Sequence, residues 1–290
     1  MGNRVGCDAN MQKVVTAMSD IKLELRNLVK VFSNRPEPAL TLLNQGLSKA
    51  EVQQRTGLSI GLAGVSAHFK KGEISCVMGL SGSGKSTLIR HINRLIDPTS
   101  GEVLLDGQNL LALDLEQLRQ VRRHQISMVF QSFALLPQLT VFDNVAFGLQ
   151  VRGEDKAQTR EQVMHWLATV GLEKEAQRYP DELSGGMRQR VGLARALATD
   201  AEVLLMDEAF SALDPLTRYE LQTQLQQLQA NLGKTIIFVT HDVQEAFRLG
   251  HHILMLRDGQ VEQAGTPQGL LDTPASDYVA QFVQRAQLPT

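Results

Sequence analysis

Gly79-Leu80-Ser81-Gly82-Ser83-Gly84-Lys85-Ser86 narrows what this chain can fold into more than any other stretch. It satisfies G-x-x-x-x-G-K-[ST] in full, between the apolar run Ile74–Met78 and a segment of helical spacing that starts near Lys85. A strand must therefore end, curl and hand over to a helix. The glycines let the backbone turn so that successive N–H groups point inward as an anion nest, and the helix N-terminus adds partial positive charge. Lys85 supplies a full charge for β- and γ-phosphates, and the Ser86 hydroxyl a ligand for Mg2+. Thr87 falls on the α-phosphate side. Thr87 also excludes a dinucleotide fingerprint through Gly82-x-Gly84, because it stands where a third small residue is required.

From residue 60 onward the chain alternates between strand and helix. Short, β-branched apolar runs at Ile74–Met78, 103–105, 126–130, 203–206 and Thr235–Val239 read as strands. Helical spacing covers 157–170, 184–199, 215–232 and 242–249, and Asp258-Gly259 marks a hairpin between 253–256 and 260–263. Such alternation implies a mainly parallel sheet covered by helices. Upstream, 21–28 is a first strand. Residues 36–57 read as two short helices inserted before the next strand: Pro36 and Pro38 open them, Leu40, Leu42, Leu43, Leu47 and Val52 give the spacing, and Gly57 stops them. Residues 1–19 show no periodicity and are expected to fray, with Met18 an alternative start.

Overall charge excludes one class of partner. A formal net charge of -2 over 290 residues does not suit a protein that binds nucleic acid through its bulk charge. No apolar run approaches the roughly 20 residues of a membrane-spanning helix, and the N-terminus lacks the pattern of a secretory signal. Cys7 and Cys76 have no metal spacing, and Cys76 reads as a small buried residue. A cytoplasmic chain is expected.

Four further residues complete a candidate site. The run 203–206 ends in Asp207-Glu208, so a central strand delivers two carboxylates at its C-terminal end, where ligands sit in such sheets. Asp207 suits the second anchor for Mg2+. Because side chains alternate along a strand, Glu208 points elsewhere and can polarise a water attacking the γ-phosphate. His241 and Gln131 follow two other strands: His241 can hold Glu208 and the water in line, and Gln131 can reach the metal or the water.

Leu183-Ser184-Gly185-Gly186-Met187-Arg188-Gln189-Arg190 resembles the signature motif of ABC ATPases. With it the family order is complete: P-loop, Gln131, signature, Asp207-Glu208, the turn Ser211-Ala212-Leu213-Asp214, and His241. The resemblance spans residues 21–285. It implies a P-loop α/β fold with an N-terminal antiparallel β part and a helical subdomain at about 132–200. It also implies that Ser184, Gly185 and Gly186 cap ATP held by a partner's P-loop, with Asp214 near the shared site, in a head-to-tail dimer of two copies. Phe32 matches the aromatic residue that stacks on adenine.

The inserted pair 36–58, Met206–Pro215 with Ala209 after the base, and Met187-Arg188 are similar to the ATPase subunit of glycine betaine/proline betaine importers. That resemblance implies an ATP- and Mg2+-dependent subunit at the cytoplasmic face of the inner membrane, energising uptake of a compatible solute such as glycine betaine, proline betaine or choline. Permease subunits are expected to dock near residues 131–142, where Phe133, Leu135, Leu136, Leu139, Val141 and Phe142 are apolar. A periplasmic or lipid-anchored binding protein takes part indirectly. Many members carry a C-terminal pair of CBS modules, which are not expected here. Three rivals are an importer subunit for another small solute such as an amino acid, an ABC protein acting on nucleic acid, and a non-hydrolysing scaffold. The nucleic-acid class calls for two cassettes or a long coiled coil, and the scaffold for a missing base.

Overall fold

The computed structural model describes residues 20–286, apart from 132, 133 and 212. The expectations for residues 1–19, including Cys7, and for Phe133 and Ala212 lie outside the described residues. Two sheets form the body. A four-stranded antiparallel sheet has the order β2-β1-β4-β5, from β1 (Ile21–Phe32), β2 (Ser59–Lys70), β4 (Ser100–Leu105) and β5 (Gln108–Asn109). A six-stranded sheet has the order β10-β9-β3-β8-β7-β6. It comprises β3 (Ile74–Met78), β6 (Ile126–Val129), β7 (Val203–Asp207), β8 (Thr235–Val239), β9 (His252–Arg257) and β10 (Gln260–Gly265). All of its pairings are parallel except the β9–β10 hairpin.

Every residue of β3, β7 and β8 is buried, because both faces of the sheet are covered. Alternation along each strand divides the side chains between two cores. Cys76, Met206 and Phe238 join one core with α8 (Pro215–Leu232), α9 (Val243–Leu249) and α11 (Asp277–Ala286). Val77, Leu205 and Ile237 join the other with α3 (Lys85–Ile92) and the antiparallel sheet. A helical subdomain of α5 (Val141–Arg152), α6 (Lys156–Thr169) and α7 (Gly185–Ala198) has its own core. The last of these helices belongs to both: Leu193 and Leu197 face the sheet, Val191 and Ala194 the helices.

The insertion folds as two helices, α1 (Glu37–Asn44) and α2 (Lys49–Thr56), between β1 and β2. Ser48 caps α2 in a capping box with Glu51, and Gly57 ends it with a left-handed φ of 70°. Ala39 and Val52 are buried against Val29, Val31 and Ile60, which seats the pair on the ends of β1 and β2.

The structure changes the reading of the apolar segment near 131–142. Val141 is fully buried in the helical core, and Leu135 and Phe142 pack partly against it. The loop before α5 is folded onto buried Asn144, whose Oδ1 accepts from the Leu136 N–H at 2.8 Å and whose amide donates to Leu136 O and Leu139 O at 3.0 Å each. Val141 is therefore a core residue and no docking contact, whereas Leu136 and Leu139 stay half-buried. Strand β1 also runs four residues further than 21–28, to Phe32. Helices α4 (Leu115–His124), α5, α10 (Pro267–Asp272) and α11 were not expected from spacing.

Candidate active site

Three adjacent parallel strands bring the site together. Val239 pairs with Val77 of β3 on one side and with Asp207 of β7 on the other, so the three strands end level. Beyond those ends lie the glycine-rich loop, the acidic pair and His241. Strand β6 pairs with β7 through Val129 and Met206, which carries Gln131 to the same edge.

The loop is tied down from below. Gly79 has φ 151°, and a Cβ there would lie 2.2 Å from the Leu256 carbonyl oxygen, so only glycine lets β9 approach this closely. Ser83 is buried, and its carbonyl accepts from the Gly259 N–H at 3.0 Å. Lys85 is 5% exposed, and its ammonium donates to Gly79 O at 2.9 Å and Leu80 O at 3.1 Å. Burial holds its pKa below the usual lysine value, opposed by the nearby carboxylates of Glu208 and Asp207. Neutral carbonyls are weak partners for a desolvated ammonium, and a phosphate oxygen is a far stronger one.

The Ser86 hydroxyl donates to Asp207 Oδ1 at 3.0 Å. Burial raises the Asp207 pKa, offset by that hydrogen bond and by the Arg90 guanidinium 3.8 Å away. Glu208 follows with a left-handed φ of 47°, uncommon for a side chain of this size. Its N–H donates to Val239 O at 3.0 Å, and its carbonyl accepts from the Ser211 N–H at 3.2 Å and the Ser211 hydroxyl at 2.9 Å. This backbone turn, and not strand alternation alone, points its carboxylate away from Asp207. There it accepts from Gln131 Nε2 at 3.0 Å and lies 3.4 Å from His241 Nδ1.

These groups border a cavity of about 610 Å3 whose wall includes Phe32, Ser81, Gly82, Gly84, Lys85, Ser86, Thr87, Glu208 and His241. Gln131 joins it through Glu208, Asp207 lies beneath Ser86, and Gly79 and Ser83 form the underside of the loop. Ser184, Gly185, Gly186 and Asp214 stand outside it. Ser184 caps α7, accepting the Met187 N–H at 3.3 Å. Asp214 caps α8, accepting the Thr217 N–H at 3.0 Å, and such bonds hold its carboxyl below the usual range. Two residues at the site have no local motif to announce them. Lys49 of the insertion lines the cavity, and the Tyr278 hydroxyl accepts the Leu80 N–H at 3.2 Å while donating to Leu256 O at 3.3 Å.

Among the described residues no cluster of three His, Cys, Asp or Glu side chains forms a metal cage. Ser86 and Asp207 offer the sparse, all-oxygen set that suits Mg2+ completed by phosphate oxygens and water. A deep anion cradle, a hard-cation anchor and an oriented carboxylate make this a site for a nucleotide polyphosphate on a P-loop α/β fold.

The chain belongs to the ABC transporter family, whose model matches residues 62–211. It is 53% identical over 262 residues to the glycine betaine/proline betaine transport system ATP-binding protein ProV of Escherichia coli, covering 90% of this chain and 66% of that one. It is 51% identical to the glycine betaine/carnitine transport ATP-binding protein GbuA of Listeria monocytogenes, covering 92% and 67%. The chain thus spans about two thirds of the length of these relatives. Among solved structures it resembles the ATP-binding cassette MJ0796 in a dimeric, post-hydrolysis state bound to ADP and Pi. That match has a TM-score of 0.72 and 34% identity, and covers 84% of this chain and 98% of that one.

Proposed function

We propose that this chain is the ATP-binding and ATP-hydrolysing subunit of an importer for a compatible solute of the glycine betaine, proline betaine or choline type. The observation that carries the catalytic part is Glu208, turned into the cavity by its backbone and held between Gln131 and His241. The cargo class rests on the relatives' names, ProV and GbuA.

The loop N–H groups and Lys85 bind the phosphates, and Phe32 stacks on the adenine. Ser86 and Asp207, with Gln131, would hold Mg2+, which offsets charge on the phosphate oxygens as the terminal phosphate leaves. The Glu208 carboxylate takes a proton from the attacking water while Gln131 and His241 fix its direction. Lys85, buried and close, offsets the negative charge that develops. Ser184, Gly185 and Gly186 lie outside the chain's own cavity, which supports a head-to-tail pair in which each copy caps its partner's nucleotide, with Asp214 at the shared site. The dimeric state of MJ0796 is in keeping with this.

Among the described residues no helix is long and apolar enough to cross a membrane. The relatives' description as ATP-binding proteins of transport systems supports work done on permease subunits, at the cytoplasmic face of the inner membrane. A cleft of about 250 Å3 that includes Met128, Phe130 and the exposed side chains of Leu95 and Phe147 offers them an apolar seat next to Gln131. The test is ATP turnover and solute uptake in proteoliposomes with the cognate permease and binding protein. Betaine-dependent uptake that stops with Glu208→Gln is expected. Full turnover in that variant would refute the mechanism, and uptake of an unrelated solute the cargo.

A further inference from the structure

No residue of the insertion belongs to the phosphate loop or the acidic strand ends, yet one of its side chains borders the cavity. Lys49, the first residue of α2, donates from its ammonium to the Gly82 carbonyl oxygen at 3.1 Å. It shares the cavity wall with Phe32, Gly61, Gly82, Lys85 and Thr87.

Packing accounts for this placement. Val52 and Ala39 are buried against Val29, Val31 and Ile60. Val31 pairs with Ile60, and the adjacent pair, Phe32 with Ser59, is itself part of the cavity wall. The inserted helices are therefore seated on the strand ends that present Phe32. At the start of α2 the local polar groups are already committed. The Ser48 hydroxyl accepts the Glu51 N–H at 3.3 Å, and the Glu51 carboxylate accepts from the Ser48 N–H at 2.8 Å and its hydroxyl at 2.6 Å. Those bonds hold the Glu51 carboxyl below its ordinary pKa, so it stays ionised in the cap. Lys49 meets a neutral carbonyl instead of a carboxylate. One carbonyl uses one of an ammonium's three protons. The rest of its donor capacity, and its whole charge, remain for the cavity it lines.

We propose that Lys49 is a nucleotide-binding residue: its ammonium contacts a phosphate oxygen of the bound nucleotide, adding a second side-chain cation to Lys85. The inserted helices thereby become part of the nucleotide site. A phosphate oxygen is the better partner, since both groups are charged, whereas the Gly82 carbonyl is neutral. This rests on the ATP reading above.

The test is equilibrium competition of ATP, ADP and adenosine against a fluorescent ADP analogue. It uses the full chain with Mg2+ and carries Glu208→Gln as background so that ATP persists. Lys49→Met is expected to weaken ATP and ADP about tenfold, the scale of one charge-assisted hydrogen bond, and adenosine by less than about twofold. Lys49→Arg is expected to retain affinity within about threefold, because the charge and donors remain. Unchanged ATP and ADP affinity in Lys49→Met overturns the proposal. So does an equal loss for adenosine, which would assign the effect to the shape of the loop. A folded parent chain that binds neither ATP nor ADP would sink the ATP reading itself, which the Lys49 comparison alone cannot do.

Discussion

Gly61→Ala separates nucleotide binding from fold stability with a single methyl group. Gly61 lies in β2 between the Phe32 ring and Thr87, and a Cβ built there falls 2.9 Å from Phe32 Cε2 and 2.9 Å from Thr87 Cγ2. Carbon atoms settle at about 3.5–4.0 Å, so the methyl overlaps each neighbour by about 0.6–1 Å. The backbone is no obstacle, because Gly61 is not in the left-handed region. Replacing a strand glycine even narrows the unfolded ensemble, a gain of about 0.4–1 kcal/mol. Overpacking costs about 1–3 kcal/mol where the neighbours cannot yield. Here one can yield, because Phe32 is 46% exposed and the open cavity is beside it. The empty protein relieves the Phe32 overlap by swinging the ring into that space and the Thr87 overlap by a shift of that methyl, which also borders the cavity, and a bound nucleotide needs the same space. The cost therefore falls on binding: ATP affinity drops roughly five- to hundredfold, at about 1.4 kcal/mol per decade. Urea unfolding without nucleotide moves by less than about 1 kcal/mol. Calorimetric titration with Mg-ATP and urea denaturation read the two effects. Unchanged ATP affinity in a folded variant would falsify the placement of Phe32 and Thr87 against the nucleotide, and so would a loss confined to stability.

Four further perturbations test other parts of the molecule. Glu208→Gln keeps the shape and removes the base, so turnover in the assembled transporter should fall about 10²–10⁴-fold while ATP binding persists; equal losses in both would make Glu208 a binding residue. Thr240→Val takes the 2.5 Å donor from the buried Glu245 carboxylate, leaving Gln222 at 3.0 Å and the Arg218 guanidinium at 3.8 Å, and should cost about 1.5–3 kcal/mol in urea unfolding. Burial raises the folded pKa of Glu245 above its ordinary 4.5, so this group's contribution to stability falls as pH rises from about 4.5 through the raised value; the slope should flatten in Glu245→Gln, and an unchanged slope refutes the assignment. Tyr278→Phe removes the hydroxyl shared between Leu80 N–H and Leu256 O, and should lower stability by about 0.5–1.5 kcal/mol, with saturating ATP restoring part of the loss.

The parts of this molecule legible in its sequence are those whose reasons are local. Strands β3, β7 and β8 are mostly apolar because both their faces are covered, and the loop after β3 carries its own glycines and lysine. The inserted helices announce themselves through their leucine spacing and Gly57. Helix α5 was hidden for a physical reason: its β-branched and aromatic residues, Val141, Phe142, Val145 and Phe147, mimic a strand, and helical packing overrides that preference. Its start was readable, since the Thr140 hydroxyl caps the Asp143 N–H at 3.1 Å. So was that of α4, where Asp114 and Gln117 form a capping box. The left-handed backbone of Glu208 had no local signal, because it depends on Val239 and Ser211 holding the peptide from both sides. Lys49 and Tyr278 were invisible for the same kind of reason. Each reaches the loop only because a distant helix is docked against it.

The same distinction bears on how the site could speak to the rest of the molecule. Gln131 bonds Glu208 at 3.0 Å, and a few residues on, the Ala134 carbonyl accepts from Arg195 Nη1 at 2.8 Å. Arg195 belongs to α7, whose first turn is the Ser184–Gly185–Gly186 end expected to meet a partner's nucleotide. That helix is packed on two faces, by Leu193 and Leu197 against the sheet core and by Val191 and Ala194 within the helical core. A helix packed on both sides moves together with the cores it joins, because such interiors are close-packed and compress little. Under the proposed function, the carboxylate that meets the terminal phosphate bonds Gln131, and the glycines that cap the partner's phosphate open the helix whose Arg195 holds the Ala134 carbonyl. The apolar cleft at Met128, Phe130 and Phe147 also includes Arg195, so a permease seated there would press on the same segment.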